Sequence, residues 1–162
     1  MQIRTAVTDE DLRAIAELAD IIWHEHFPSI LSDEQINYMV EKFQSYSALK
    51  NAVEHDGYKD YMAYHDGEFC AYLGFRDEGG GTVFISKVYV RADKRHLGIA
   101  TALLEKLRAD YPDAKKWYLT VNRKNSGSVA VYEKRGFKTV REQCADIGGG
   151  FVMDDYIMER IF

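Results

Sequence analysis

VYVRADKRHLGIA, residues 88–100, is the stretch that decides the fold. An apolar strand runs into a basic turn, then a glycine, then a helix. Amides at a helix N-terminus lack intrahelical partners, and the helix dipole adds partial positive charge there. Gly98 lets a ligand come close to the backbone, where a side chain would block it. Arg91, Lys94 and Arg95 add cationic charge. The stretch reads as an anion site, and a pyrophosphate suits it.

Two common nucleotide motifs are excluded. A P-loop needs Gly followed by Lys and Ser/Thr, whereas Gly98 is followed by Ile99 and Ala100. A dinucleotide fingerprint needs three glycines, and only Gly98 is present. RHLGIA, residues 95–100, instead resembles the acetyl-CoA loop of the GNAT superfamily of N-acetyltransferases: Gln or Arg, two free positions, Gly, one free position, then Gly or Ala. A second block, VNRKNSGSVAVYEKRGF at 121–137, is similar to the strand and helix that follow in that family. The two blocks stand in the family's order and at its spacing.

Outward from these blocks the chain reads as alternating elements. Gln2–Val7 alternates as a short strand. Thr8 and Asp11 form a capping-box pattern opening a helix near Glu10, with Leu12, Ile15, Ala16, Ala19, Ile22 and Trp23 on one face, stopped by Pro28. Ser32 caps a second helix with the stripe Ile36, Met39, Val40 and Phe43. Residues 45–57 read as irregular or partly helical. Lys59–His65 and Phe69–Phe75 form a hairpin across Asp66–Gly67. A turn at Glu78–Gly81 leads to the strand Thr82–Val90. A helix Ile99–Tyr111, a strand Trp117–Val121 and a helix Ser126–Arg135 ending at Gly136 follow. Residues 137–144 and 151–161 make the last two strands. This order matches the GNAT fold, so the expected class is α/β: a mixed, mostly antiparallel sheet of about seven strands flanked by about four helices. The expected organisation is a single domain over residues 1–162.

Composition is consistent with this. At 46% apolar and 13% aromatic residues the chain folds around a core. It has no run of eighteen apolar residues, which excludes a membrane-spanning helix. No apolar signal core opens it, and Cys70 and Cys144 have no metal spacing and read as reduced, structural thiols. These features point to the cytoplasm. Charge is uneven: residues 1–66 hold 5 Lys/Arg against 13 Asp/Glu, whereas residues 87–141 hold 14 against 5. The basic segment suits a multiply phosphorylated cosubstrate, and the acidic segment suits a cationic amine or is ordinary surface charge. The overall acidity argues against nucleic acid as a partner.

The resemblance implies a site. Acetyl-CoA would be the cosubstrate, with no metal. The backbone of Val88, Tyr89 and Val90 would pair with the pantetheine arm and polarise the thioester carbonyl. Arg95, His96, Leu97, Gly98, Ile99, Ala100 and Thr101 would hold the pyrophosphate. Tyr132, which shares a helix face with Asn125 and Ser128, would be the general acid that protonates the leaving thiolate. Asn122 and Asn125 would bind the pantetheine or adenosine side, although Asn125 reads equally well as a plain N-cap. Many family members carry a Glu on the strand before the loop. Here that strand reads Ser86-Lys87, so the general base is open. His24, Glu25 and His26 at the end of the first helix, and Asp154 and Asp155 in the last strand, are candidates for contacting the amine. Surface placement at a frayed helix end is the more common reading of the first three, and edge-strand charge explains the last two equally well. His24 and His26 face different ways on a helix, which argues against metal ligation.

The activity implied is transfer of an acetyl group to a primary amine by direct attack through a tetrahedral intermediate. The acceptor would be a small molecule, including a small polycation of the kind taken by diamine and polyamine acetyltransferases, or a protein amine. A homodimer is the family's frequent assembly. A non-catalytic acyl-CoA-binding or regulatory domain of the same fold is the alternative.

Overall fold

The first helix begins where the sequence predicts. Thr8 accepts a hydrogen bond from the Asp11 N–H at 3.1 Å, and Asp11 Oδ2 accepts the Thr8 N–H at 3.2 Å, closing the capping box. In this computed structural model, which describes Met1–Phe162, α1 spans Asp9–His26. Asp11 also takes both guanidinium nitrogens of Arg4, at 2.7 and 2.9 Å, from strand β1 (Gln2–Thr5). That hydrogen bonding holds its carboxyl well below the usual carboxylate range.

The chain sorts into two compact units. The first contains Met1–Arg76 and Lys87–Pro112; the second contains Asp77–Ser86 and Asp113–Phe162. In the first unit, β1 is followed by α1, α2 (Asp33–Met39), one π-helical turn (Val40–Gln44) and α3 (Tyr46–His55). Strands β2 (Tyr58–His65) and β3 (Glu68–Gly79) make the predicted hairpin. Its turn residues Asp66 and Gly67 have φ of 52° and 78°, the left-handed pair this turn requires. The unit closes with the end of β4 (Thr82–Val90), a 3₁₀ turn (Ala92–Lys94) and α4 (Ile99–Asp110). Ile15, Ala19, Ile22, Ile36, Leu103 and Leu107 are all at most 1% exposed and form its core. Each Ile and Leu among them contributes about 1.5–3 kcal/mol of burial.

The second unit starts with the first half of β4 and continues through β5 (Lys116–Asn122), α5 (Ser126–Lys134), β6 (Lys138–Gly148) and β7 (Phe151–Ile161). Its core holds Val83, Ile85, Trp117, Leu119, Phe137 and Met158. The strand order is β1-β2-β3-β4-β5-β7-β6. The β4–β5 pair is parallel, and β1–β2, β2–β3, β5–β7 and β7–β6 are antiparallel, so the sheet is the mixed seven-stranded one expected. No helix is long and apolar enough to cross a membrane.

Residues 45–57, open between irregular and partly helical, are helical over most of their length: Ser45 accepts the Ala48 N–H at 3.2 Å and starts α3. Two expectations need correction. The stripe after Ser32 does not reach Phe43, which is 37% exposed. The backbone leaves α-geometry after Met39, and the wider π turn brings the polar Gln44 inward instead. There Gln44 Oε1 accepts the Tyr72 hydroxyl at 3.1 Å. The sixth strand runs to Gly148, four residues beyond the predicted end.

Candidate active site

In the first unit the loop after β4 is shaped by two left-handed residues. Gly98 has φ of 78° and is the N-cap of α4, with no side chain capping that helix. A Cβ built at Gly98 would meet no heavy atom within 4 Å, so its outer side is open. His96 has φ of 64°, which a residue with a Cβ adopts at a cost of about 1–3 kcal/mol. Ile99 anchors the helix start at 2% exposure, while Leu97 is 49% exposed. Ala100 and Thr101 are part-buried in the first turn. Arg95 donates from Nε to the Val90 carbonyl at 3.2 Å, tying the loop back to the strand end. An open glycine backbone at an uncapped helix start is a fit for a phosphate.

The sequence credited three cations to this loop, and two of them are engaged. Arg91 binds Glu68 at 2.7 Å and Asp93 at 2.5 Å. Lys94 stands 3.9 Å from Glu68. Val88, Tyr89 and Val90 are part-buried. The parallel β4–β5 ladder runs only from Thr82↔Lys116 to Ile85↔Leu119, while β4 continues to Val90.

Beside this strand the first unit holds groups the sequence reading passed over. Tyr89 packs on Trp23 at 5.7 Å and on Tyr72 at 5.5 Å. Asp60 is 3% exposed, and burial raises its carboxyl, with the Lys87 charge opposing. Burial likewise lowers Lys87. The available signal was a carboxylate in phase with Tyr58 and Met62 in the run YKDYMAYH. Cys70 is buried, and its thiol is pushed up by that burial, which makes it a poor nucleophile.

His24, Glu25 and His26 lie at the end of α1. His24 is clasped on both ring nitrogens, by the Asp20 carbonyl at 2.8 Å and Asn37 Oδ1 at 2.7 Å. Those bonds, the Asn37 one first, raise its pKa. Glu25 is exposed, and His26 packs edge-on against Phe27 at 4.9 Å.

The second unit carries Tyr132, Asn122, Asn125, Ser128, Asp154 and Asp155. Tyr132 packs against Phe137 at 5.7 Å, and burial of its phenol pushes the pKa up to about 12, so it stays protonated at neutral pH. Asn125 is 8% exposed and caps α5, accepting the Ser128 N–H at 3.4 Å. Asn122 Oδ1 accepts the Lys124 N–H at 2.9 Å. The two adjacent aspartates face opposite sides and differ sharply. Asp154 is exposed and lies 3.5 Å from Arg123. Asp155 is 6% exposed, and burial first, then the Asp154 charge, raises its carboxyl to about 6.

Solved structures share this fold. PaiA N-acetyltransferase from Thermoplasma acidophilum, determined in complex with coenzyme A, superposes with a TM-score of 0.80 at 22% identity over 100% of both chains. A GCN5-related N-acetyltransferase from Rhodopseudomonas palustris gives 0.81 at 16% identity, over 99% of this chain and 95% of that one. Ribosomal-protein-alanine N-acetyltransferase from Brucella melitensis gives 0.69 at 20% identity over 100% of both. No curated protein sequence matches the chain. The acetyltransferase (GNAT) family matches residues 13–137, across both the Gly98 loop and the Tyr132 helix. With the seven-stranded mixed sheet and the open glycine at the start of α4, this match means that the chain belongs to the GNAT acetyltransferase family.

Proposed function

We propose that the chain, acting as one catalytic domain, transfers the acetyl group of acetyl-CoA to a primary amine by direct attack, with Tyr132 as general acid. The observation that carries this reading is the loop. The uncapped start of α4 and the open side of Gly98 offer amides to a pyrophosphate, and Arg95 is left without an ion pair. The backbone of Val88–Val90, beyond the last β5 pair, supplies the edge on which a pantetheine amide chain would add like a strand. One backbone N–H there would steady the oxyanion of a tetrahedral intermediate. The Tyr132 hydroxyl would give its proton to the sulfur as the C–S bond breaks, and its raised pKa keeps that proton available across the neutral range.

The acceptor in this reading is a cationic amine. Residues 1–66 carry a net charge of −8, which draws a polycation towards the molecule. Thiol release from acetyl-CoA, measured across polyamines, aminoglycosides and short peptides with mass spectrometry of the product, tests it. Amine-dependent release is the expected result. Tight CoA binding with no release on any amine would favour the non-catalytic acyl-CoA-binding reading.

A further inference from the structure

Asp60, Gly74 and Lys87 form one row across neighbouring strands of the first unit. Asp60 stands opposite Gly74 in the β2–β3 register. On the other side of β3 lies β4. There the Arg91 N–H bonds the Cys70 carbonyl at 2.9 Å, and the rings of Tyr89 and Tyr72 meet at 5.5 Å. The next pair on that face sets Lys87 beside Gly74. Cross-strand partners share a face, so the Asp60 and Lys87 side chains leave the sheet on the same side. Glycine puts no side chain between them. The Lys87 ammonium crosses this bare floor towards β2, where it lies 5.8 Å from the centre of the Tyr58 ring.

The two charges sense each other without pairing. Burial raises Asp60 and lowers Lys87, and in each the other's charge opposes that shift. No hydrogen bond contributes to either. They differ in access. Asp60 is 3% exposed, whereas Lys87 and Tyr89 keep part of their surface open. Lys87 is thus crowded by protein without being sealed. The pair is a dipole set into the sheet, its negative end covered and its positive end reachable. The ammonium keeps N–H donors that the protein does not fill, and an anion completes them.

The row borders the strand proposed for the transfer. Lys87 directly precedes Val88–Val90, the backbone proposed for the pantetheine arm, and it shares a face with Tyr89. Two charge effects then compete over the acceptor. The acidic excess of residues 1–66 acts at long range and is screened over about 8–10 Å. Lys87 acts at contact, in surroundings that screen little. The near charge decides which amine is held, and it repels a second ammonium.

We propose that Lys87 selects the acceptor: the amine taken by this chain also bears a carboxylate, which pairs with the Lys87 ammonium. This rests on the reading of the chain as an N-acetyltransferase. Asp60 is a positioning residue, favouring the charged form of Lys87 from the covered side. The reacting amine is still a cation in solution; a second cation is what the row rejects.

The test compares ω-amino acids, n-alkylamines and diamines over a range of matched lengths, by thiol release from acetyl-CoA. At the best length, kcat/KM for the amino acid should exceed that for the alkylamine by at least ~10-fold, and the diamine should fall below both. In Lys87→Met the amino-acid advantage should shrink to within ~2-fold. Lys87→Arg should keep part of it, and Lys87→Glu should turn the preference towards diamines. CoA affinity within ~2-fold of the unsubstituted protein marks each variant as folded. An unsubstituted protein that prefers alkylamines or diamines would overturn the assignment and leave the transferase reading standing. So would a Lys87→Met variant that keeps the preference, losing the same factor on every class of acceptor. No release with any acceptor, with CoA still bound, would overturn both.

Discussion

The Gly98 loop and the buried Asp155 carboxylate are built by different means. The loop works through backbone: a left-handed glycine, an uncapped helix start and a strand edge. The Asp155 carboxylate owes its character to one side chain and the burial imposed on it. A backbone site survives most substitutions that keep the chain path, and it leaves a spacing in the sequence. A site made by burial leaves almost no mark in the sequence, because burial is decided by distant residues. The first kind is tested by affinity, and the second by the pH dependence of stability.

The sharpest break of this contrast is Gly98→Glu. It puts a carboxylate where the anion would sit, on a residue already at φ of 78°. CoA affinity should drop by more than ~100-fold in calorimetry, whereas the backbone change alone costs about 1 kcal/mol of stability. Gly98→Ala, carrying only the backbone cost, should bind far better than Gly98→Glu; equal losses would mean the loop is merely structural. Next comes Tyr132→Phe. Single-turnover acetyl transfer should slow by about 10²-fold with CoA affinity within a few-fold, and an unchanged rate would remove the acid assignment.

The two aspartates of opposite pKa sharpen the comparison through stability. Asp11 is depressed by Arg4, so its stabilisation is full above the unfolded pKa near ~3.9 and is lost as pH falls through and below that value. Asp11→Asn should cost about 2 kcal/mol at pH 7 by denaturant melts, and the difference should shrink in acid. Asp155 has the reverse sign. Its folded pKa of about 6 lies above the unfolded one, so stability declines as pH rises from ~3.9 to 6. Asp155→Asn should therefore gain at most ~3 kcal/mol at pH 7.5 and nothing near pH 4. A loss at pH 7.5 would mean that the carboxylate is structural.

Local chemistry explains what was readable in advance. The Thr8–Asp11 box, the Asp66–Gly67 turn and the Gly136 stop all depend on a few adjacent residues, and all appear as expected. So does β4, residue for residue. Helix α3 was legible only as one of two readings because its apolar stripe is thin, with Leu49 its one buried residue, and only Ser45 marks its start. The π turn was unreadable because a 3.6-residue period assumes the helix stays regular, and Gln44 broke that pattern by turning inward. Asp154 and Asp155 were equivalent in sequence; register against Asn122 and Gln143 is what separates them. Asp60 was overlooked for a related reason, since a charged residue in a strand looks solvent-facing until its neighbours cover it.

The ion pairs of Arg91 carry a consequence for the ionic atmosphere. A count of cations between residues 91 and 95 gives three, but Arg91 already satisfies Glu68 and Asp93, and Lys94 leans on the same glutamate. If the loop holds the phosphates as proposed, only Arg95 of these three would bring charge that added electrolyte can screen there. The salt dependence of CoA binding should thus be shallow, closer to that of one cation than of three, because the rest of the grip is dipolar.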